Sequence, residues 1–373
     1  MPAATSPAHR SPSTAEPSSS HSRTHRAGCP ALRRPPRASF IVKRISAMAG
    51  RVVYFSGEFV PEREANVSIF DCALMYGDMA FEMTRTFGGE PFKLREHLDR
   101  LYGSLRLLEI DCGLSLDEML AQTLVTLEKN QATEVEGMDW WVMHDVSRGP
   151  LPVYGSLWPE GTKPTVTIST WPLITHMGTF ATKYDTGVDI VVPAQQALPA
   201  HLVDAKAKTR SRMHYKMAEL QGQRIGEGAW PVMFDPDGFM AEGPGWNIFL
   251  VKDGTIYTPE PRNILQGVSR GTVFELAEQE GIPIVEANLG RYEALQADEI
   301  FCTSTSYCIV HGRSFEGQVV GDGQRGPVVE RLTEAWRQRV GVDMVSQARE
   351  YAEALPGWLE QEVEANRAAL ATT

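Results

Sequence analysis

The stretch that decides the fold is Ala241-Glu242-Gly243-Pro244-Gly245-Trp246-Asn247-Ile248-Phe249. It sets one carboxylate, Glu242, among glycines, which allow the backbone to approach a ligand closely. Two short strand pairs flank this stretch, and Asp253-Gly254 predicts a hairpin turn after it. An exposed glutamate in an ordinary turn is the plain alternative, but the Gly-Pro-Gly-Trp-Asn continuation disfavours it. We therefore interpret Glu242 as a ligand-binding carboxylate.

Two further segments stand in a fixed order around Glu242. Lys208 lies 34 positions before it, and Gly267-Val268-Ser269-Arg270 follows it. Pyridoxal phosphate needs an amine to hold its aldehyde as a Schiff base and a carboxylate to keep its ring nitrogen protonated. It also needs N–H groups and hydroxyls to hold its phosphate. The ordered set predicts a site for this cofactor, with Lys208 as the Schiff-base lysine and Lys206 and Lys216 as its rivals.

Each predicted role has a physical requirement. Lys208 must be neutral to transfer protons, so its pKa must be lowered by burial and nearby positive charge. Glu242 would pair with the pyridinium nitrogen, which makes the ring an electron sink. The phosphate would lie on the N–H groups of Val268 and Ser269 and on the Ser269 hydroxyl, because a helix predicted to begin there favours a dianion. Taken alone, Ser269 is equally well explained as an ordinary helix cap.

These motifs resemble the class IV aminotransferases, which are pyridoxal-phosphate enzymes of fold type IV. The resemblance covers about residues 51–345 and rests on an ordered set of weak signals. They are Phe55-Ser56-Gly57-Glu58-Phe59, Tyr76-Gly77, Phe81-Glu82, His97-Leu98-Asp99-Arg100-Leu101, the Lys208 segment, Glu242-Gly243, Gly267-Val268-Ser269-Arg270 and Asp298-Glu299-Ile300-Phe301. The resemblance implies an α+β fold with two α/β domains joined by a short linker. It also implies a homodimer with its active sites near the subunit interface.

The resemblance adds residues that the sequence alone would not single out. Arg100 and Thr305 are implied as further phosphate contacts. The residues implied on the substrate side are Tyr76, Phe81, Arg85 and Ser306. Without the family pattern, Arg100 is a solvated helix arginine, and aromatic residues at strand spacing are core.

The activity implied is transamination, which moves an amino group from a hydrophobic, branched-chain-like amino acid to a 2-oxo acid. An (R)-selective amine transaminase and a lyase similar to aminodeoxychorismate lyase are alternatives. A homologue that only binds the cofactor is a fourth interpretation, which the presence of Lys208 and Glu242 disfavours.

The chain departs from the family pattern near the lysine. Branched-chain aminotransferases usually have a tyrosine five residues after it, in contact with the cofactor's phenolic oxygen, where this chain has Met213. Arg212, His214 and Tyr215 are the candidates to replace that tyrosine, and the sequence does not choose among them. D-amino-acid aminotransferases bind the substrate carboxylate with an arginine and a histidine. This chain has Arg148, but the residues after it do not match that pattern.

Apolar periodicity divides the rest of the chain into elements. The leucines at 98, 101, 105 and 108 predict one helix, and Ser115 with Glu118 predicts a capping box at the next. Strands are predicted at residues 51–55, 66–70, 81–87, 140–146 and 165–170. We expect a small α+β domain over residues 51–172, a linker over 173–185, a large cofactor-binding domain over 186–345 and a helical tail over 346–373.

Composition and charge narrow the class of protein. The 373 residues carry a formal net charge of −11, which disfavours a nucleic-acid binder, and no apolar run is long enough to predict a membrane span. Residues 1–50 hold eight Lys or Arg and one acid. We predict that they form a disordered extension, with an organelle-targeting role for residues 1–47 as the alternative. Five cysteines match no disulfide framework or zinc site, so we expect a cytoplasmic protein without a metal.

Overall fold

The computed structural model describes residues 50–134 and 137–370. The predicted extension therefore lies outside the described residues, apart from Gly50. In the described part, fourteen strands form two sheets, and ten α-helices pack around them. Helices and strands both recur along this part of the chain, in keeping with the mixed fold that was expected.

The first sheet has six strands in the described residues and is antiparallel throughout. Its order is β2-β1-β6-β5-β3-β4, with bounds β1 Val52–Phe55, β2 Glu58–Pro61, β3 Met79–Phe87, β4 Glu90–Pro91, β5 Trp140–Ser147 and β6 Thr165–Pro172.

The second sheet is mixed and has eight strands in the same described ranges. Its order is β11-β10-β9-β12-β13-β7-β8, with β14 on β13, and the bounds are β7 Val188–Val191, β8 Trp230–Pro231, β9 Asn247–Lys252, β10 Thr255–Pro259, β11 Ile284–Ala287, β12 Glu299–Ser304, β13 Cys308–Phe315 and β14 Gln318–Val319.

The helices of the described residues follow in chain order. They are α1 Cys72–Tyr76, α2 Leu94–Leu107, α3 Leu116–Gln131, α4 Ile174–Phe180, α5 Lys183–Thr186, α6 Met213–Ile225, α7 Val268–Glu280, α8 Arg291–Leu295, α9 Pro327–Val340 and α10 Met344–Leu370. None of them is long and apolar enough to cross a membrane.

The helix α2 covers the first sheet with the predicted leucine stripe. Leu98 and Leu101 are fully buried, and they pack in one core with Val142 and Ile168 of the sheet. The capping box at the start of α3 is present, with Ser115 and Glu118 bonded to each other's backbone N–H. The second sheet has its own core, in which the rings of Phe249 and Phe301 stack across β9 and β12.

Two segments have a secondary structure that the sequence did not predict. Residues 66–70 contain no strand; the chain instead turns there into α1, whose first turn is capped by the Asp71 carboxylate. Residues 173–185, predicted as a linker, carry α4 and most of α5. Ile174, Met177 and Phe180 are buried at helical spacing, and α4 packs on α10, so long-range burial supplies the helix that local periodicity did not signal.

The segment that carries Lys208 is tied to the first sheet. The Lys208 carbonyl accepts a hydrogen bond from the Phe81 N–H at 3.0 Å, and the Met79 carbonyl accepts one from the Arg210 N–H at 3.1 Å. Thr209 and Ala80 form a single bridge between these bonds. The segment is a turn with this one bridge, and strand β3 therefore fixes the lysine's backbone.

Candidate active site

One cavity of about 270 Å³ collects most of the predicted site residues. The predicted residues that line it are Phe81, Arg100, Lys208, Glu242, Val268, Ser269 and Thr305. They come from the first sheet, helix α2, the bridged turn, the loop before β9, the start of α7 and the loop after β12. Residues up to 224 positions apart are thus brought to one place.

Lys208 is held at the cavity wall by side chains of α2 and β3. Its N–H donates to the Ser104 hydroxyl of α2 at 3.0 Å, and its ammonium lies 4.7 Å from the centre of the Phe81 ring. Burial, followed by the positive charge of Arg100, lowers the pKa of Lys208 to about 7. A near-neutral pKa gives the free amine that carbonyl and proton-transfer chemistry require.

The rival lysines lie on the surface. Lys206 is exposed and pairs with Asp204, and Lys216 is exposed and pairs with Glu219 on α6. Neither lines the cavity. The geometry therefore favours Lys208 among the three lysines.

A buried carboxylate holds Arg100. Glu82 accepts from the Arg100 guanidinium at 2.7 and 2.8 Å and from the Met83 N–H at 2.9 Å, and the His97 ring lies 3.1 Å away. Burial opposes the charge on Glu82, yet Arg100 and His97 hold its pKa well below the ordinary value. The remaining guanidinium nitrogen donates to the Gln266 carbonyl at 2.9 Å, so Arg100 reaches the chain just before α7.

Glu242 lies in a network that uses both of its oxygens. It accepts from the Tyr215 hydroxyl at 2.6 Å, the Leu265 N–H at 3.1 Å and the Asn247 amide at 3.2 Å. Burial raises the pKa of Glu242 to about 7, against these hydrogen bonds, which favour the charged form. Burial also raises the pKa of Tyr215 well above its ordinary value, so its hydroxyl remains a donor. A cationic ring nitrogen is the kind of group that would restore the carboxylate's charge.

The start of α7 presents free N–H groups to the same cavity. Its N-cap is Gly267, and no described side chain caps the helix. A Cβ at Gly267 would lie 2.3 Å from the Asn247 amide oxygen, so a larger residue there would have to displace the Asn247 side chain from Glu242. Thr303, also on the cavity wall, has a buried hydroxyl with no hydrogen-bond partner among the described residues. Uncapped N–H groups and an unpaired hydroxyl are suited to phosphate oxygens.

Three of the residues implied on the substrate side do not line this cavity. Tyr76 ends α1 and is 68% exposed. Arg85 is buried and donates to the Ser306 carbonyl at 2.6 Å and to Gln347 at 2.7 Å. The Ser306 hydroxyl contacts the His176 ring at 3.0 Å. In this chain Arg85 and Ser306 contact each other away from the cavity.

Sequence reasoning passed over several residues of the site. Glu82 and Asn247 stood inside the quoted motifs, but their partners are distant in the chain and gave no local signal. Tyr215 was named only for the cofactor's phenolic oxygen, whereas its hydroxyl is bonded to Glu242. Spacing to Glu242 does not reveal that contact, since it depends on where α6 begins.

Comparison with known proteins agrees with this geometry. The family model described as amino-transferase class IV matches residues 79–315. A branched-chain-amino-acid aminotransferase of Pseudomonas aeruginosa is 32% identical over 300 residues, which cover 78% of this chain and 94% of that protein.

Solved structures share the fold. The crystal structure of the Escherichia coli branched-chain amino acid aminotransferase gives a TM-score of 0.69 at 27% identity, over 78% of this chain and 94% of that one. A second branched-chain amino acid aminotransferase, solved with pyridoxamine 5'-phosphate, gives 0.68 at 26% identity, over 78% and 94%. The predicted fold type IV architecture is thereby confirmed.

A lysine with a lowered pKa, a buried carboxylate and a free helix start, on this fold, define an enzyme that transfers amino groups. The chain belongs to the class IV aminotransferases.

We predict that borohydride reduction of the cofactor-loaded protein attaches the cofactor to Lys208. Lys208 has a pKa lowered to about 7 and lines the cavity together with Glu242, whereas Lys206 and Lys216 do not line it. Peptide mapping by mass spectrometry checks this, with Lys208→Ala as the unlabelled control. A label on Lys206 or Lys216 would refute the assignment.

We also predict that Glu82→Gln lowers the free energy of unfolding by about 3 kcal/mol near neutral pH, because it leaves the largely buried Arg100 without its counter-charge. The folded-state pKa of Glu82 lies below its ordinary value of 4.5, so the wild-type advantage is present above that pH and shrinks as the pH falls below it. Urea unfolding at several pH values measures both effects.

The matched control is Glu334→Gln. Glu334 also pairs with an arginine, Arg337, but both side chains are exposed and their pair contributes little. Equal losses in the two variants would show that burial of the Glu82 pair does not matter.

Proposed function

We propose that the protein is a transaminase that uses pyridoxal phosphate to move an amino group from a hydrophobic, branched-chain-like amino acid to a 2-oxo acid. The observation that carries this proposal is the cavity shared by Lys208, with its pKa near 7, and the buried Glu242 carboxylate. The relatives named as branched-chain aminotransferases support the choice of amino donor.

The residues present fit the cofactor. Val268, Ser269 and Thr305 would hold its phosphate together with Arg100, and the unpaired Thr303 hydroxyl lies at the same wall. Lys208 would hold its aldehyde, and Glu242 its ring nitrogen. When bound, pyridoxal phosphate supplies an electron sink that makes the substrate's α-hydrogen acidic.

This chain supplies the groups that hold and move protons. Lys208, once its amine is free, would take the proton from the substrate's α-carbon and deliver it two atoms away, to the carbon that had been the cofactor's aldehyde. A pKa of about 7 suits both directions of transfer near neutral pH. Glu242 would supply the negative charge that compensates the protonated ring nitrogen. Tyr215 and Asn247 prevent that carboxylate from turning away.

The cavity wall supports an apolar amino donor. Phe81, Met83, Leu198, Val203 and Trp246 line it. Apolar side chains discriminate substrates by burial and not by hydrogen bonds. Hydrophobic amino acids of similar size would therefore all be accepted, with rates that change gradually with the size of the side chain.

A panel of amino donors tests the proposal, with pyruvate and 2-oxoglutarate as acceptors. We expect branched-chain L-amino acids to be the best donors. Activity only with (R)-amines, or release of pyruvate from aminodeoxychorismate without an acceptor, would replace this proposal with one of the two alternative reactions.

In the same assay, we predict that Glu242→Gln keeps the cofactor but loses roughly 100- to 1000-fold in turnover, because a neutral amide does not stabilise the charged ring. Absorbance of bound cofactor and turnover are measured on the same sample. Near-normal turnover in this variant would remove Glu242 from the mechanism.

We further propose a homodimer that forms through an apolar patch around α1. The patch is made of Ile69, Leu74 and Tyr76, each about two-thirds exposed, and of Val153 and Leu157 in the turn that packs beside them. Phe70 joins the two segments, because its ring lies tilted against the Tyr154 ring with the centroids 4.5 Å apart. Exposed apolar residues that cluster in this way mark protein interfaces. A second copy is the proposed occupant, since two-fold assembly is the commonest closed symmetry.

Leu74→Asp is predicted to dissociate this dimer, because association would bury a charge. Sedimentation velocity at several concentrations measures the change. Val319→Asp is the control, since Val319 is similarly exposed but lies on β14, away from the patch. A wild-type monomer that is fully active at assay concentration would overturn the proposal.

The domain boundaries and the location in the cell also stand as proposals. We retain residues 51–172 and 186–345 as the two domains, 173–185 as their linker and 346–373 as a C-terminal helical tail. A reducing compartment, and hence the cytoplasm, is supported by the unpaired state of the four described cysteines.

A further inference from the structure

The cavity contains several cations, and most of them are already neutralised. Arg100 is paired with Glu82 at 2.7 Å, and Arg210 is paired with Asp145 at 2.9 Å. Lys208 has a lowered pKa, and its amine would hold the cofactor. These residues leave no fixed positive charge free to receive a substrate anion.

Arg212 is different. It lines the same cavity, directly before α6, and its guanidinium makes no hydrogen bond or ion pair within residues 50–134 and 137–370. The guanidinium lies 4.3 Å from the centre of the Tyr215 ring and 5.5 Å from that of the Phe81 ring. Stacking on aromatic faces holds an arginine in place while leaving its five N–H donors free at the edge. Arg212 is therefore oriented and still available to a ligand.

Arg212 lies near Lys208, the amine that would react with the substrate. The Phe81 ring that it approaches is also the ring that lies against the Lys208 ammonium, at 4.7 Å. Its charge contributes to the lowered pKa of Lys208, after burial and Arg100, and after burial it also lowers the pKa of His214. An anion beside Arg212 would therefore lie near the amine that handles the substrate.

The cofactor does not need this arginine for its phosphate. The N–H groups that begin α7 are uncapped, and Arg100 reaches the chain at Gln266 beside them. Glu242 is likewise already held by Tyr215 and two amide groups. Neither the phosphate nor Glu242 uses Arg212, which leaves it to one of two other anions: the cofactor's phenolic oxygen, for which it was one candidate, or a substrate carboxylate.

We propose that Arg212 is the carboxylate-binding residue of this active site. The inference rests on the proposed function, because both the amino donor and the 2-oxo acid of a transaminase carry a carboxylate. A guanidinium binds a carboxylate through two parallel hydrogen bonds, which fixes both the position and the orientation of the substrate. Arg212 thereby selects amino acids over simple amines.

Binding of unreactive acids to the cofactor-loaded enzyme tests this inference. The probes are 4-methylvaleric acid, which has one carboxylate, and glutaric acid, which has two, with 4-methylvaleramide as the uncharged control. Calorimetry measures the Kd of each. Arg212→Met is expected to raise the Kd of 4-methylvaleric acid by about tenfold to 100-fold, the loss typical of a hydrogen-bonded charge pair. The Kd of the amide should not change.

The two acids distinguish which carboxylate Arg212 receives. Equal weakening of both acids assigns it to the carboxylate beside the amino group. Weakening of glutaric acid alone assigns it to the far carboxylate of a dicarboxylic acceptor. Arg212→Lys retains the charge but not the paired geometry, so an intermediate Kd is expected.

Controls separate the possible failures. Arg224→Met, an exposed arginine on the same helix α6, should change no Kd. Cofactor affinity, measured by titration of the cofactor-free protein, should be the same in Arg212→Met and wild type. If cofactor affinity falls as much as acid affinity, Arg212 serves the cofactor and the inference is overturned.

The inference is also overturned if neither acid binds the wild-type enzyme, or if both bind Arg212→Met as well as wild type. Should Arg212→Met fail to fold, Arg212→Gln gives the same comparison. If the wild type transfers no amino group but its acid binding depends on Arg212, the proposed function fails and the carboxylate site stands.

Discussion

The active site depends on the removal of two ionisable groups from water within one cavity. Burial lowers the pKa of Lys208 and raises that of Glu242, so both are near 7 and each has lost part of its ordinary preference for charge. The surrounding scaffold maintains this balance: the Phe81 backbone and the Ser104 hydroxyl fix the lysine, and Tyr215 fixes the carboxylate. The chemistry proposed for the enzyme requires that neither group rotates out into solvent.

The first sheet takes part in this cavity through its strand β3. Glu82 on that strand fixes Arg100 on α2, and Arg100 contacts the Gln266 carbonyl just ahead of α7. One buried ion pair thus connects the first sheet to the start of α7, where we propose that the phosphate binds. Removal of either partner would leave the other charged and unpaired in the interior, which is why such pairs tolerate little change.

Sequence reasoning was most accurate where the physical cause is local. The leucine stripe of α2 and the α3 capping box are properties of short segments, and the structure contains them. It also brings Lys208, Glu242 and the start of α7 to one cavity, while their roles remain predictions. Contacts of long sequence separation were not accessible in this way. Arg85 is held by groups more than 200 positions away, and α4 is helical because it packs on α10.

The close approach of Gly243 and Trp246 has a consequence for how this sequence can change. A Cβ at Gly243 would fall 1.9 Å from the Trp246 ring, an impossible separation, while the ring itself forms part of the cavity wall. A mutational path that introduces a larger residue at 243 must therefore first exchange the tryptophan for something smaller. The two positions are therefore sterically coupled, and the order in which they can be substituted is constrained.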